Sequence, residues 1–210
     1  MFALFLSSFG CEARGESTSV YIIRGGGGYF PNLGNIVNKN FKSRGLNVID
    51  YRVDQHTKAA GEIIAAHRAG KLSSGVFLVG YSAGGGAAIK IANSLKSAGV
   101  SVRLLILIET IRPDLAIPSN VQGCFNLYHA PHAIVGRVRA SSSKTRLCNC
   151  DAHDDAGFGP EYGHFRIPWV DGVHEMIADE IVNATRGRSP GATLSNRRAL
   201  NSATPSPEPR

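Results

Sequence analysis

The stretch FLVGYSAGGG (77–86) places Ser82 between Gly80 and Gly84, directly behind an apolar run. The spacing G-x-S-x-G is that of a nucleophile elbow, in which a strand turns at once into a helix with the serine at its apex. The apex residue takes a strained backbone with φ > 0, and side chains two residues to either side would collide, so glycine is required there. The helix that follows would aim its dipole and free N–H groups at developing negative charge. Two other glycine chemistries fail. A phosphate-binding P-loop needs Lys and Ser/Thr after its last glycine, but Gly85 is followed by Gly86 and Ala87. A dinucleotide fingerprint begun at Gly25, Gly26 or Gly84 meets Phe30, Pro31 or Ile89 where its third glycine belongs. A serine hydroxyl is a weak nucleophile at neutral pH. It needs a general base, usually histidine, held by a carboxylate.

Those groups need elements to position them. SVYIIRGGGGYF (19–30) is a β-rich run that stops at four glycines, and LGNIVNKNFKSRG (33–45) has helical spacing at Ile36, Val37 and Phe41 before Gly45. LNVIDYRVD (46–54) reads as a strand, QHTKAAGEIIAAHRAGK (55–71) as a helix ending at Gly70, and SGVFLVGYS (74–82) as a buried strand. AGGGAAIKIANSLKSAG (83–99) is a helix packed closely by small residues; VSVRLLILIE (100–109) and NVQGCFNLYHA (120–130) are further strands. Residues 131–163 show no periodicity and read as a long loop. The last helix lies in WVDGVHEMIADEIVNATRGR, with Asp171 as its N-cap and Val173, Ile177 and Ile181 on one face. Strands alternating with helices predict an α/β fold: a mostly parallel sheet covered by helices on both faces.

FLVGYSAGGGAAIKIANSL resembles the nucleophile strand and helix of the α/β-hydrolase superfamily, and YIIRGGGG resembles its earlier strand and oxyanion loop. The resemblance covers roughly residues 19–186 and is to small members without a large cap domain. It implies a serine esterase, lipase or thioesterase, with no metal or organic cofactor and a small-molecule ester or thioester as substrate. It also implies the chain order Ser, acid, His, with the histidine on a loop before the final helix.

Seven histidines are available. His56 and His67 precede Ser82 and read as helix-surface residues. His129 and His132, in HAPH, follow a strand but come early, and His174 reads as solvent-facing. His164, seven residues before Asp171, is the expected base. For the acid, Glu109 closes a strand at the end where doubly wound sheets place site residues. Asp114 is the alternative acid, and Asp151, Asp154 and Asp155 are rivals in the loop, otherwise a solvated acidic turn. The oxyanion hole is expected from the N–H of Ala83 with one from Gly27 or Gly28. Tyr81, Tyr29 and Phe30 are candidates to line the substrate pocket.

Composition bounds the remainder. With 43% hydrophobic and 19% charged residues, 210 residues suit one globular domain. The division is a leader or disordered start at 1–18, the hydrolase domain at 19–186 and a disordered basic Pro/Ser-rich tail at 187–210. The net charge of +7 gathers in that tail and the 137–146 loop, a pattern of solvated charge, and no nucleic-acid partner is expected. No apolar run has the length of a transmembrane segment. The apolar start before Cys11 has a leader-like look without a basic n-region, so the cytoplasm and the cell envelope both stay open. CNC (148–150) lacks the second cluster of a zinc site, and no metal is expected. Two other classes remain as alternatives: a non-catalytic binding protein on the same fold, and an anion- or membrane-surface binder using the tail.

Overall fold

The central strands are continuous apolar runs, and a parallel sheet covered on both faces is where such runs can be buried. The computed structural model describes residues 17–26, 40–111, 115–130 and 134–194. Its strands are β1 (Thr18–Ile23), β2 (Leu46–Tyr51), β3 (Val76–Tyr81), β4 (Val102–Ile108), β5 (Gly123–Tyr128) and β6 (Arg146–Asp151). They form one sheet in the order β2-β1-β3-β4-β5-β6, every pair parallel. β3 and β5 are buried along their whole length, whereas the edge strands β2 and β6 are partly exposed.

The period of two sorts the side chains into two cores. Val76, Leu78, Leu105 and Leu107 face α1 (His56–Arg68) and α2 (Ala83–Ser97), which contribute Ala59, Ile63, Ile89, Ile91 and Leu95. Phe77, Val79, Leu104, Ile106 and Phe125 face α3 (Asp171–Thr185), which contributes Val173, Met176, Ile177 and Ile181. Burying each large apolar side chain contributes about 1.5–3 kcal/mol. That packing offsets the roughly 1 kcal/mol that each glycine in the opening AGGG of α2 costs a helix.

Three expectations change. The segment 131–163 is not one long loop, because β6 lies within it and pairs with β5. As an edge strand it exposes Arg146 and carries no continuous apolar run, so the run that marks the central strands is missing. Asp171 is the first residue of α3 and makes no side-chain cap; Val170 holds the N-cap position. Residues 187–194 lie beyond the expected boundary at 186 yet are packed. Arg146 donates to the carbonyls of Gly187 and Arg188, and Leu194 packs against the α3-side core. Of the helix expected over 33–45, the described part starts at Asn40, is helical through Lys42 and closes at Gly45 with φ 71°. Residues 1–16 and 195–210 fall outside the described residues. Among the described residues no helix is long and apolar enough to cross a membrane.

Candidate active site

In a parallel sheet all the strand C-termini lie along one edge, and a chain that reverses its winding leaves a crevice there. Here β1 is flanked by β2 and β3, and the residues following β1, β3, β4 and β5 meet at that edge. Ser82 follows β3 directly. Its N–H still donates to the Ile108 carbonyl at 2.9 Å, while its φ of 53° and ψ of −123° turn the chain into α2. A Cβ on Gly80 would lie 2.6 Å from the Gly84 carbonyl oxygen, and one on Gly84 would overlap the carbonyl oxygens of Ile23 and Arg24. Glycine at both positions is what lets the start of α2 sit on β1 and β3. Among the described residues, the non-glycine residues with positive φ are Ser82 and Glu109, the latter at 49°. Such strain costs of the order of 1–3 kcal/mol and persists only where the surroundings over-determine it.

A hydrogen-bonded chain runs from one of these residues to the other. Ser82 Oγ lies 3.0 Å from His164 Nε2, and His164 Nδ1 lies 3.3 Å from Glu109 Oε2. Nδ1 faces a carboxylate, so it carries the proton, and Nε2 is left to accept the serine hydroxyl. The Tyr81 hydroxyl donates to the His164 carbonyl at 2.6 Å, and the Phe165 ring meets the imidazole edge-on at 5.1 Å between centroids. Glu109 is wholly buried, and its N–H continues the β4–β5 ladder to the Leu127 carbonyl. Its Oε1 accepts the His129 backbone N–H at 2.7 Å and the His129 Nδ1–H at 3.0 Å. Burial pushes the carboxyl up, but hydrogen bonds from His129 and then His164 outweigh it and hold the pKa at about 2. Glu109 is therefore a carboxylate at neutral pH.

The chain is similar in structure to an esterase from Pyrobaculum calidifontis, with a TM-score of 0.59, 14% identity, and 82% of this chain and 77% of that one covered. The chain has the α/β-hydrolase fold. A hydrolase-superfamily structure from Xanthomonas campestris covers 80% of this chain and 99% of its own at 13% identity and a TM-score of 0.44. A thioesterase of the prodiginine pathway in Streptomyces coelicolor covers 93% and 67% at 15% identity and a TM-score of 0.38. No family model matches the sequence, and no curated protein does.

Within this α/β-hydrolase fold the other expected residues fall differently. Gly27, Gly28, Tyr29, Phe30, Asp114 and His132 lie outside the described residues. Ala83 is the first residue of α2, where a helix leaves its N–H groups without intrahelical partners. It opens onto a cavity of about 310 Å³ lined also by Val53, His56, Ala87, Lys90 and Leu115. Gly25 comes close to the serine, since a Cβ there would lie 3.3 Å from Ser82 Cβ. Tyr81 is buried, with its hydroxyl bonded to the histidine loop.

The acidic rivals are engaged elsewhere. Asp151 accepts from the N–H groups of Ala130, His153 and Asp154, Asp155 accepts from the Asp151 N–H, and Asp154 pairs with His153. His174 is buried rather than solvent-facing. Its Nε2 lies 2.7 Å from the Pro168 carbonyl, and burial lowers its pKa. Cys148 and Cys150 lie on β6, and burial pushes both thiols up, Cys148 to about 11. Among the described residues no group of three His, Cys, Asp or Glu is placed to hold a metal ion. The contact the sequence reading missed is His129 on Glu109. Its signal was the placement of both residues at strand ends, but only the strand order makes β4 and β5 neighbours.

Proposed function

We propose that the protein is a serine hydrolase that cleaves a carboxylic ester or thioester through an acyl-enzyme on Ser82. The observation that carries this reading is the chain Ser82 Oγ, His164 Nε2, His164 Nδ1, Glu109 Oε2, at 3.0 and 3.3 Å, with Ser82 strained at the elbow. In the first half-reaction Oγ attacks the carbonyl carbon as its proton passes to His164 Nε2. Glu109 orients the ring and offsets the positive charge that forms. The tetrahedral oxyanion is met by the Ala83 N–H and a second N–H from the glycine run after β1. The C–O or C–S bond then breaks, and His164 returns the proton to the leaving alkoxide or thiolate. In the second half-reaction water gives a proton to His164 and attacks the acyl carbon; the bond to Ser82 Oγ then breaks as His164 returns the proton to Oγ, and the acid leaves. The cavity of about 310 Å³ beside Ala83 is at the small end of ligand pockets and suits a compact acyl or alcohol group.

The test is covalent. A fluorophosphonate is attacked by an activated serine with loss of fluoride, and the adduct is read by mass. Wild type is expected to label at Ser82, while Ser82→Ala does not label and His164→Ala labels at least about 10³-fold more slowly. A folded wild type that does not label overturns the reading and leaves the binding-protein alternative in its place. Labelled protein then takes a panel of esters and thioesters of increasing acyl length.

A further inference from the structure

Glu109 has a second histidine that the mechanism above does not use. Its carboxylate is wholly buried on a strained strand end, and a glutamate has one more side-chain torsion to fix than an aspartate. Two donors from one residue converge on its Oε1: the backbone N–H of His129 at 2.7 Å and the ring Nδ1–H at 3.0 Å. That arrangement leaves Oε2 facing His164. The His129 side chain is itself nine-tenths buried. Its Nδ1–H is given to the carboxylate, and the Phe158 backbone also acts on the ring.

We propose that His129 is a positioning residue for the proposed triad, clamping Glu109 by Oε1 so that Oε2 is held on His164 Nδ1. The proposal rests on Ser82, His164 and Glu109 acting as described above. It has a consequence for pH. The groups acting on the His129 ring are Glu109 at the end of β4, which favours its charged form most, and burial, which opposes it. Asp151 at the end of β6 and the Phe158 backbone also favour the charged form, and His164 faces the opposite oxygen of Glu109. The net effect raises the pKa of His129. A protonated His129 shares the Glu109 charge with the imidazolium that His164 becomes in the reaction. A neutral His129 leaves that charge to His164, so the rate rises as His129 loses its proton.

The experiment compares wild type, His129→Leu and His129→Asn in hydrolysis of p-nitrophenyl acetate from pH 5 to 9, with fluorophosphonate labelling alongside. Asparagine carries its amide nitrogen on Cγ, where histidine carries Nδ1, so it keeps a donor for Oε1 but does not titrate. His129→Leu is expected to lower kcat about 10–100-fold with KM within twofold, and His129→Asn to recover most of the loss. The wild-type profile of kcat/KM is expected to show an ionisation beyond that of the base, and His129→Asn to lack it. Equal kcat in wild type and His129→Leu overturns the proposal. So does His129→Asn that is as slow as His129→Leu, or that keeps the wild-type profile. Should His129→Leu fail to fold, the profile of His129→Asn decides alone. Wild type that neither labels nor hydrolyses overturns the triad itself, whereas labelled, active wild type with an indifferent His129→Leu overturns only the clamp.

Discussion

Glu109 holds His164 on one carboxylate oxygen and His129 on the other, so its charge and its geometry separate cleanly by substitution. Glu109→Gln is nearly isosteric but brings an N–H₂ group to a site surrounded by donors. If the amide nitrogen faces His164 Nδ1, the ring must move its proton to Nε2 and can no longer accept from Ser82. The expected loss in kcat is about 10³-fold with little change in KM, read by steady-state kinetics. The same carboxylate shapes the acid side of the stability profile. Its pKa falls from 4.5 to about 2 on folding, so its contribution is complete above about 4.5 and is lost as pH falls through about 2. His129 has the opposite sign: its pKa is raised, so its contribution is complete below 6.5 and is lost as pH rises through its folded value. Urea unfolding of wild type across pH 2–8 is therefore expected to show the pair contributing most between about 4.5 and 6.5. In Glu109→Gln the wild-type loss below pH 4.5 is expected to shrink.

At the scale of elements, the elbow works only if α2 can begin in contact with the ends of β1 and β3. Gly84→Ala would drive a methyl into the carbonyl oxygens of Ile23 and Arg24. Overpacking of this kind costs about 1–3 kcal/mol, and the relief, a shift of α2, moves Ser82 and Ala83 off the site. The expected result is a lowered Tm together with loss of fluorophosphonate labelling in the protein that remains folded. Gly61 in α1 makes the control, because a Cβ there meets nothing within 4 Å. Gly61→Ala is expected to stabilise by up to about 1 kcal/mol and to leave labelling untouched.

At the scale of the whole molecule, the described chain does not end its packing with α3. Glu180, buried on that helix, accepts the Gly191 N–H at 3.0 Å and the Thr193 hydroxyl at 3.3 Å. Arg103 on β4 donates to the carbonyls of Ala184 and Thr185, fixing the helix C-terminus to the sheet. Truncation after Arg186 removes the donors that 187–194 bring to Glu180, at a cost of about 2 kcal/mol, or a fall in Tm of about 5 °C. Truncation after Leu194 keeps them and is expected to melt above the shorter truncation. Thermal melts of the two truncations side by side make the comparison.

Much of this was legible in sequence because it is local. The elbow needs only a strand, two glycines and a small-residue helix in succession, and all of them lie within 76–97. The parallel sheet was legible because strands buried on both faces cannot alternate, as 76–81 and 104–108 show. What failed was whatever depends on a neighbour in space. β6 escaped notice because an edge strand needs few apolar residues, His174 looked exposed until the loop at Pro168 covered it, and 187–194 looked free until Glu180 and Arg146 were seen to bind them. The ordering of the carboxylates belongs with these. Sequence alone placed a serine at a strand-to-helix elbow and ranked His164 and Glu109 first among the candidates to partner it. Only the tertiary structure decided that β5 lies beside β4, and with it that one buried carboxylate is shared by two histidines. Hydrogen bonds between strand ends are set by sheet order, and no local pattern encodes that order.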